Sequence, residues 1–264
     1  MRDRPHAERD AAIEALVERE GARLLAYLRR SCGDGSDAED VVQETFARAV
    51  RAWDQLDDPG HARAWLYTIA RRACQRLHRR RSGAPARLEP LEELLPRPGA
   101  GVLDLALEAP GGPHADRLRS EARERVERAL AGLPDPFRQA LVLADVAELS
   151  LAEIAAVTGV REATVKTRLH RARLKLRQEL AAALPRRAAG APGHARRVCL
   201  DLLQAKLEAM DRRAPFPYSD AALCERCRSL LATLDLVGAT CSSLAAERLT
   251  PELRARIRSA TAGA

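Results

Sequence analysis

Aromatic side chains are scarce in this sequence, and long apolar runs are missing from it. Phenylalanine, tyrosine and tryptophan make up only 3% of the 264 residues. The cores must therefore be built from leucine, valine, isoleucine and alanine, a composition that favours helix nearly everywhere. No run of about 18 apolar residues could span a membrane, and the charged first twenty residues exclude an apolar signal core. We expect an all-α, cytoplasmic protein that does not bind a membrane.

Signatures of catalysis are also missing. The sequence has no glycine-rich phosphate loop and no recognisable pairing of a nucleophile with a base, and its six histidines are scattered. We therefore predict that the protein is not an enzyme. In a cytoplasmic protein the six cysteines should be largely reduced.

Charge is unevenly distributed along the chain. The formal net charge is +7, and residues 63–81 contain seven arginines and no acid. Residues 34–44, by contrast, are acidic. This asymmetry indicates one face for nucleic acid and another for a protein partner.

The most specific pattern lies in residues 149–180, which read as two helices around a tight turn. Ser150 and Glu153 have the spacing of a capping box, and Gly159 fits a turn that requires positive φ. Val165 and Leu169 place two apolar residues on one face of the second helix, which is rich in lysine and arginine. The pattern predicts a helix-turn-helix whose second helix lies against DNA; a solvated basic helix is the alternative.

Apolar periodicity and turn residues divide the chain into three helical segments and two linkers. Residues 9–82 are helical, and residues 83–114 form an acidic linker rich in proline and glycine. Residues 115–184 hold the helix-turn-helix, and residues 185–193 form a second linker. Residues 194–264 form a small helical domain with four of the six cysteines.

Two motifs in this order resemble the extracytoplasmic-function subgroup of the sigma-70 family of bacterial RNA polymerase sigma factors. The first is residues 37–56 followed by residues 62–81, and the second is residues 133–180. The resemblance implies two helical sigma domains, a −10 domain (region 2) and a −35 domain (region 4), joined by the acidic linker. It also implies a non-enzymatic initiation factor that needs no cofactor and binds RNA polymerase core, through the β′ clamp helices and the β flap, and promoter DNA.

The first motif, by this resemblance, docks on the clamp helices of the β′ subunit. Acids and an amide suit an arginine-rich partner, and an apolar side chain beside them suits an anchor. The matching residues are Asp37, Asp40, Gln43, Glu44 and Phe46. Core packing is the alternative for Phe46.

The following helix, by the same resemblance, opens and holds the −10 DNA. Aromatic faces stack on unpaired bases, and arginines follow phosphates. The matching residues are Trp65, Tyr67, Arg71, Arg72, Gln75, Arg76, Arg79 and Arg80. Trp65 is equally compatible with a core position, and the family's usual Asn and Asp are replaced here by Arg72 and Arg76.

The −35 element, by resemblance, is read by the second helix of the helix-turn-helix. Lysine donates to guanine and threonine contacts thymine methyl groups, whereas other basic residues hold phosphates. The residues expected to contact DNA are Arg161, Lys166, Thr167, Arg168, His170, Arg171 and Arg173.

The last segment extends beyond typical members of the subgroup. It faintly resembles zinc-binding anti-sigma domains, and four thiolates suit tetrahedral Zn²⁺. The predicted ligands are Cys199, Cys224, Cys227 and Cys241. Buried structural cysteines and a redox dithiol are the alternatives. We expect this domain to regulate the sigma domains by an intramolecular contact.

The sequence therefore predicts a transcription initiation factor that carries a regulatory or sensory domain. The competing hypothesis is a helix-turn-helix regulator that binds duplex DNA without core polymerase. Such a regulator has no need of the clamp-binding pattern in residues 37–56.

Overall fold

The structure is a computed structural model, and it describes most of the chain. The described residues are 3–32, 35–77, 102–103, 113–183, 186–188, 191 and 193–263. They are overwhelmingly helical, which confirms the predicted all-α class. The linker predicted at residues 83–114 lies largely outside the described residues. No described helix is both long and apolar enough to cross a membrane.

Ten α-helices account for the described secondary structure, together with short turns and one pair of two-residue strands. The first five helices are α1 Asp3–Ser31, α2 Gly35–Arg51, α3 Ala62–Leu77, α4 Pro113–Gly132 and α5 Asp135–Leu141. The next five are α6 Leu151–Thr158, α7 Glu162–Ala183, α8 Arg196–Asp211, α9 Glu225–Ser243 and α10 Pro251–Ala262. Strands β1 Val102–Leu103 and β2 Arg186–Arg187 pair antiparallel. A π-helical turn, Val142–Val146, continues α5.

The helices group into two compact units that do not follow chain order. The first unit takes its described residues from Met1–Gly83, Val142–Val165 and Ser243–Ala264. The second takes them from Ala84–Leu141 and Lys166–Ser242. Each unit therefore combines segments that the sequence assigns to different domains.

The first unit is built around the apolar faces of α1, α2 and α3. Large apolar residues of α1 recur at helical spacing and are buried in this core: Ile13, Leu16, Val17, Leu24, Leu25 and Leu28. Tyr27 and Tyr67 meet edge to face, with ring centroids 5.5 Å apart. Burial raises the pKa of Tyr27 to about 12. Both rings are fully buried core groups, so the expectation that Tyr67 contacts DNA is wrong for this structure.

A disulfide joins the end of α1 to α3 in this unit. Cys32 and Cys74 are bonded, with their Cα atoms 5.5 Å apart. The expectation that the cysteines are reduced is therefore wrong for this pair, although the other four remain thiols. The reason is packing: α1 and α3 bring two buried cysteines, 42 residues apart in sequence, into contact.

The second unit contains a separate leucine-rich core. Leu174 of α7 packs with leucines of α8 and α9, including Leu203, Leu207 and Leu234. Cys199 and Cys224 lie partly buried at the edge of this core. The C-terminal domain predicted from residue 194 onward is thus helical, and α8 and α9 pack directly on α7.

Candidate polymerase and nucleic-acid interfaces

The turn between α6 and α7 has the local geometry that the sequence predicts. The Ser150 hydroxyl accepts a hydrogen bond from the backbone N–H of Glu153, and the Glu153 carboxylate accepts one from the Ser150 N–H at 2.7 Å. Gly159 ends α6 with φ 70° and donates its N–H to the Ala155 carbonyl at 2.8 Å. Both the capping box and the glycine turn are confirmed, so the start and end of α6 are fixed by local chemistry.

The front of α7 presents polar and basic side chains. Val165 and Leu169 are buried, as their spacing predicts. Arg161 and Thr167 are exposed, and the partly exposed basic residues that accompany them are Lys166, Arg168 and Arg171. In a helix-turn-helix the early residues of the second helix contact base edges. The arrangement can therefore carry a positively charged helix front into a major groove.

Two predicted DNA contacts on α7 are instead turned toward α8. His170 is only 8% exposed and Arg173 only 2%. Asp211, at the end of α8, lies 2.9 Å from His170 Nε2 and 2.6 Å from Arg173 Nη1. The prediction that His170 and Arg173 contact DNA is wrong for this structure, because α8 covers that side of α7 and both side chains bind its carboxylate.

The electrostatics of Asp211 follow from these two partners. Burial by itself would raise the pKa of Asp211, but the hydrogen bond with His170 and the charge of Arg173 outweigh it. The pKa of this carboxyl group therefore lies below its ordinary value of 3.8. Asp211 makes the charge-assisted contacts that a DNA phosphate would make with the same side chains.

The acidic side chains of α2 stand on the surface of the first unit. Asp37 and Asp40 are exposed, and Gln43 and Glu44 are half-buried. Glu44 pairs with Arg48 one turn along the helix. These four positions remain suited to a basic protein partner.

Phe46 does not share that surface. Its side chain is 0% exposed, so its ring belongs to the core. The expectation that Phe46 anchors a partner is wrong for this structure, because its helical position directs it toward the interior, along with Val42 and Val50.

The residues expected to hold −10 DNA separate into two groups on α3. Arg72, Gln75 and Arg76 are exposed and lie close together along the helix. Trp65 is partly buried, with its ring edge-on to Trp53 at 6.0 Å. Arg79 and Arg80 lie outside the described residues.

Arg71 of the same set is engaged within the first unit. Its guanidinium donates to the Val157 carbonyl at 3.3 Å. This carbonyl lies at the C-terminal end of α6, where a positive charge is favoured. Arg71 therefore stabilises the end of α6, a role that differs from the expected DNA contact.

The four predicted metal ligands do not come together. The Cys199 and Cys227 sulfur atoms are 3.4 Å apart, and Cys224 is hydrogen-bonded to Cys227. Cys241, however, lies on the same helix as Cys227, fourteen residues further on. That separation corresponds to about 21 Å along a helix, so one tetrahedral ion cannot bind both. No group of three His, Cys, Asp or Glu among the described residues could hold a metal, and the predicted zinc site is not supported.

The three clustered thiols differ in acidity. Burial tends to raise the pKa of Cys224, but hydrogen bonds, above all from the backbone of Cys227 and Gly193, lower it overall. Burial and the neighbouring sulfur atoms of Cys199 and Cys224 raise the pKa of Cys227. Cys224 is therefore more inclined to ionise than Cys227.

Arg63 has a structural role that the sequence does not indicate, since it is simply the first arginine of the run at residues 63–81. Its guanidinium pairs with Glu20 at 3.1 Å and donates to the carbonyl groups of Ala147 and Glu148, at 2.5 and 3.2 Å. Glu148 has φ 58°, which turns the chain just before α6. No local pattern could indicate these contacts, because they join residues up to 85 apart in sequence.

Comparison with known families assigns both halves of the sigma-like pattern. Residues 16–83 match the family model for sigma-70 region 2, and residues 123–176 match sigma-70 region 4. The capped helix-turn-helix and most of its basic helix fall within the second match, whereas residues 177–264 lie beyond it. Sigma factors are regulatory, non-enzymatic proteins.

Several named sigma factors are similar to this chain. SigE of Mycolicibacterium smegmatis, an ECF RNA polymerase sigma factor, is 34% identical over 170 residues, which cover 64% of this chain and 61% of SigE. SigW of Bacillus subtilis is 33% identical over 163 residues, which cover 60% of this chain and 83% of SigW. The match thus spans less than two thirds of SigE.

A solved structure of CnrH in complex with the cytosolic domain of CnrY is also similar, at 31% identity and a TM-score of 0.44. It covers 65% of this chain and 88% of that chain. With both sigma-70 regions matched in order, and with SigW matched over most of its length, the chain belongs to the extracytoplasmic-function sigma factors of the sigma-70 family.

Proposed function

We propose that this protein is a bacterial transcription initiation factor that binds RNA polymerase core and directs it to promoters. The observation that supports the proposal is that sigma-70 regions 2 and 4 occur in order on one chain. The acidic face of α2 lies within the region 2 match, and the capped helix-turn-helix lies within the region 4 match. A regulator that binds only duplex DNA would need the second interface alone.

In this proposal α2 binds the clamp helices of the β′ subunit, and region 4 binds the β flap. Asp37 and Asp40 offer exposed carboxylates, and the partly exposed Gln43 and Glu44 extend the same face. Charged pairs of this kind set partner choice and association rate.

Promoter DNA is bound by two separate helices. Arg72, Gln75 and Arg76 follow the phosphates of the opened −10 element, with Trp65 beside them for stacking. The −35 element is read by the front of α7, where Lys166 and Thr167 contact bases and Arg161, Arg168 and Arg171 hold the helix in place.

Run-off transcription with purified core polymerase tests the proposal directly. With the full chain added, core polymerase is expected to make transcripts from specific promoters that it does not make alone. Binding of promoter duplex without any binding of core would favour the competing helix-turn-helix regulator.

A charge reversal separates the two interfaces. Asp40→Lys together with Glu44→Lys should abolish retention of core while leaving promoter binding by α7 intact. The control is Asp54→Lys with Asp57→Lys, the same charge change at exposed positions just beyond α2. Retention of core by the Asp40 and Glu44 double variant at the level of this control would remove α2 as the polymerase interface.

A further inference from the structure

Four carboxylates form an acidic face on the first unit. Glu14 and Glu18 stand on α1, and Glu39 and Asp40 stand on the neighbouring α2. Asp40 is one of the residues proposed above to bind polymerase. In the structure α10, the helix at Pro251–Ala262, packs on α2, and its arginines pair with these carboxylates, which stay at least partly exposed.

The sequence of α10 fits a seam between two helices. Leu253 and Ile257, four residues apart, are 1% and 0% exposed and form its buried stripe. At about 100° per residue, Arg254 and Arg258 lie on one side of this stripe and Arg256 lies on the other. A short amphipathic helix with arginines on both flanks can therefore bridge α1 and α2.

The arginines make this bridge. On the α1 side, Arg254 Nη1 lies 2.5 and 2.7 Å from the two carboxylate oxygens of Glu18, and Arg258 Nη2 lies 2.8 Å from Glu14. On the α2 side, Arg256 pairs with Asp40 and lies 3.6 Å from Glu39.

The chain leading into α10 is also seated on the first unit. Glu247 pairs with Arg29 of α1 at 2.7 Å, and Arg29 also pairs with Glu39. The Leu249 side chain lies over Gly21, close enough that a Cβ on this glycine would meet its Cδ1 atom at 2.6 Å. The contact therefore extends beyond the helix itself.

We infer that the α2 side of this face, Glu39 and Asp40, is a docking surface for a basic amphipathic helix, and that α10, which Glu14 and Glu18 of α1 hold in place, is an internal occupant that core polymerase must displace. The inference rests on the proposed function, in which an arginine-rich helical partner binds Asp40. The Arg256 guanidinium already binds this carboxylate, so the two occupants compete for it.

The contact has the properties of a releasable cover. Its arginines are at least partly exposed, so their ion pairs are screened and individually weak. A helix of twelve residues is marginal once it leaves its apolar seat. The apparent affinity for polymerase then equals the intrinsic affinity multiplied by the fraction of molecules in which α10 has left the face.

The test uses full-length variants whose changes lie on α10 and on α1, away from the α2 positions proposed to contact polymerase. Arg254→Glu with Arg258→Glu sets two acids against Glu14 and Glu18, and should tighten binding to purified core polymerase by about tenfold or more. Adding Glu14→Arg and Glu18→Arg restores opposite charges and should return the affinity to that of wild type. The control, Arg197→Glu with Arg248→Glu, makes the same charge change at exposed positions and should change nothing.

Amide hydrogen exchange supplies a second measurement that requires no substitution. The amides of α10 should be protected in the wild-type chain and should lose protection when core polymerase is added. The inference is overturned if α10 stays protected in the complex, or if the reversed variant releases α10 yet binds core no more tightly than wild type. If neither wild type nor any variant binds core, the proposed function itself fails.

Discussion

Asp211 determines what two basic residues of α7 can do. His170 and Arg173 carry the right chemistry for DNA, yet both bind this one carboxylate inside the second unit. The sequence indicates the basic character of α7 but not the direction of each side chain. That direction depends on a residue 38 positions further along the chain, and no local pattern encodes it.

We predict that Asp211→Asn destabilises the second unit by about 3–5 kcal/mol, because it removes the carboxylate that binds the buried Arg173 and His170 together. Denaturant unfolding at neutral pH measures the loss. The control is Asp235→Asn, which removes an exposed partner of Lys206 and should cost far less.

The same carboxylate sets a pH dependence. Because folding lowers the pKa of Asp211 below 3.8, its contribution is fully present above that value and is lost as pH falls through the folded pKa. The difference between wild type and Asp211→Asn should therefore shrink below about pH 4. A constant difference from pH 7 to pH 3 would contradict this role.

We predict that Cys224 is more reactive than Cys227. Its pKa is lowered and its side chain is partly exposed, whereas Cys227 is buried with a raised pKa. Limited iodoacetamide treatment under reducing conditions, followed by peptide mass spectrometry, should find label on Cys224 before Cys227. The reverse order would show that the hydrogen bonds around Cys224 do not govern its reactivity.

Helix ends were predictable from sequence where short-range chemistry fixes them. Ser150, Glu153 and Gly159 lie within ten residues of one another, and the hydrogen bonds they make are local. The surfaces covered by a helix were not predictable in the same way. The contact of α10 with α2 joins residues 216 apart, such as Arg256 and Asp40, and local periodicity identifies only that α10 is amphipathic.

At the scale of α7, we predict separate roles for residues one turn or less apart. Lys166→Ala should cost about 1–3 kcal/mol of binding free energy at one base position of the −35 element. Arg168→Ala should weaken binding to all sequences alike and reduce the salt dependence by about one ion.

Binding of polymerase holoenzyme to promoters substituted at each −35 position, measured at several salt concentrations, distinguishes the two effects. Equal, sequence-independent losses from both variants would mean that Lys166 holds a phosphate and does not read a base.

At the scale of the whole molecule, segments that are distant in sequence pack together within each unit. In the first unit the Cys32–Cys74 disulfide, the Arg63 contacts and the α10 cover all join residues more than 40 apart. Much of this unit is therefore held together by contacts between residues that are far apart in sequence. For the same reason, the sequence predicted the helices of this unit but not which of them lie together.

We predict that reduction of the Cys32–Cys74 bond lowers the free energy of unfolding of the first unit by about 2–4 kcal/mol, since the bond closes a loop in the unfolded chain. Urea unfolding with and without a phosphine reductant measures the change. A Cys74→Ser variant should unfold at one midpoint in both conditions, and an equal response of wild type and variant would assign the effect to other thiols.

The position of α10 in the chain also has a consequence during synthesis. The first three helices of this unit end at Leu77, but roughly 185 further residues must be translated before α10 is complete. At about 5–20 residues per second this takes on the order of ten to thirty seconds. Each newly made chain therefore exposes the surface proposed to bind polymerase for that interval. How freely this surface can bind polymerase then depends on the time since the chain was synthesised.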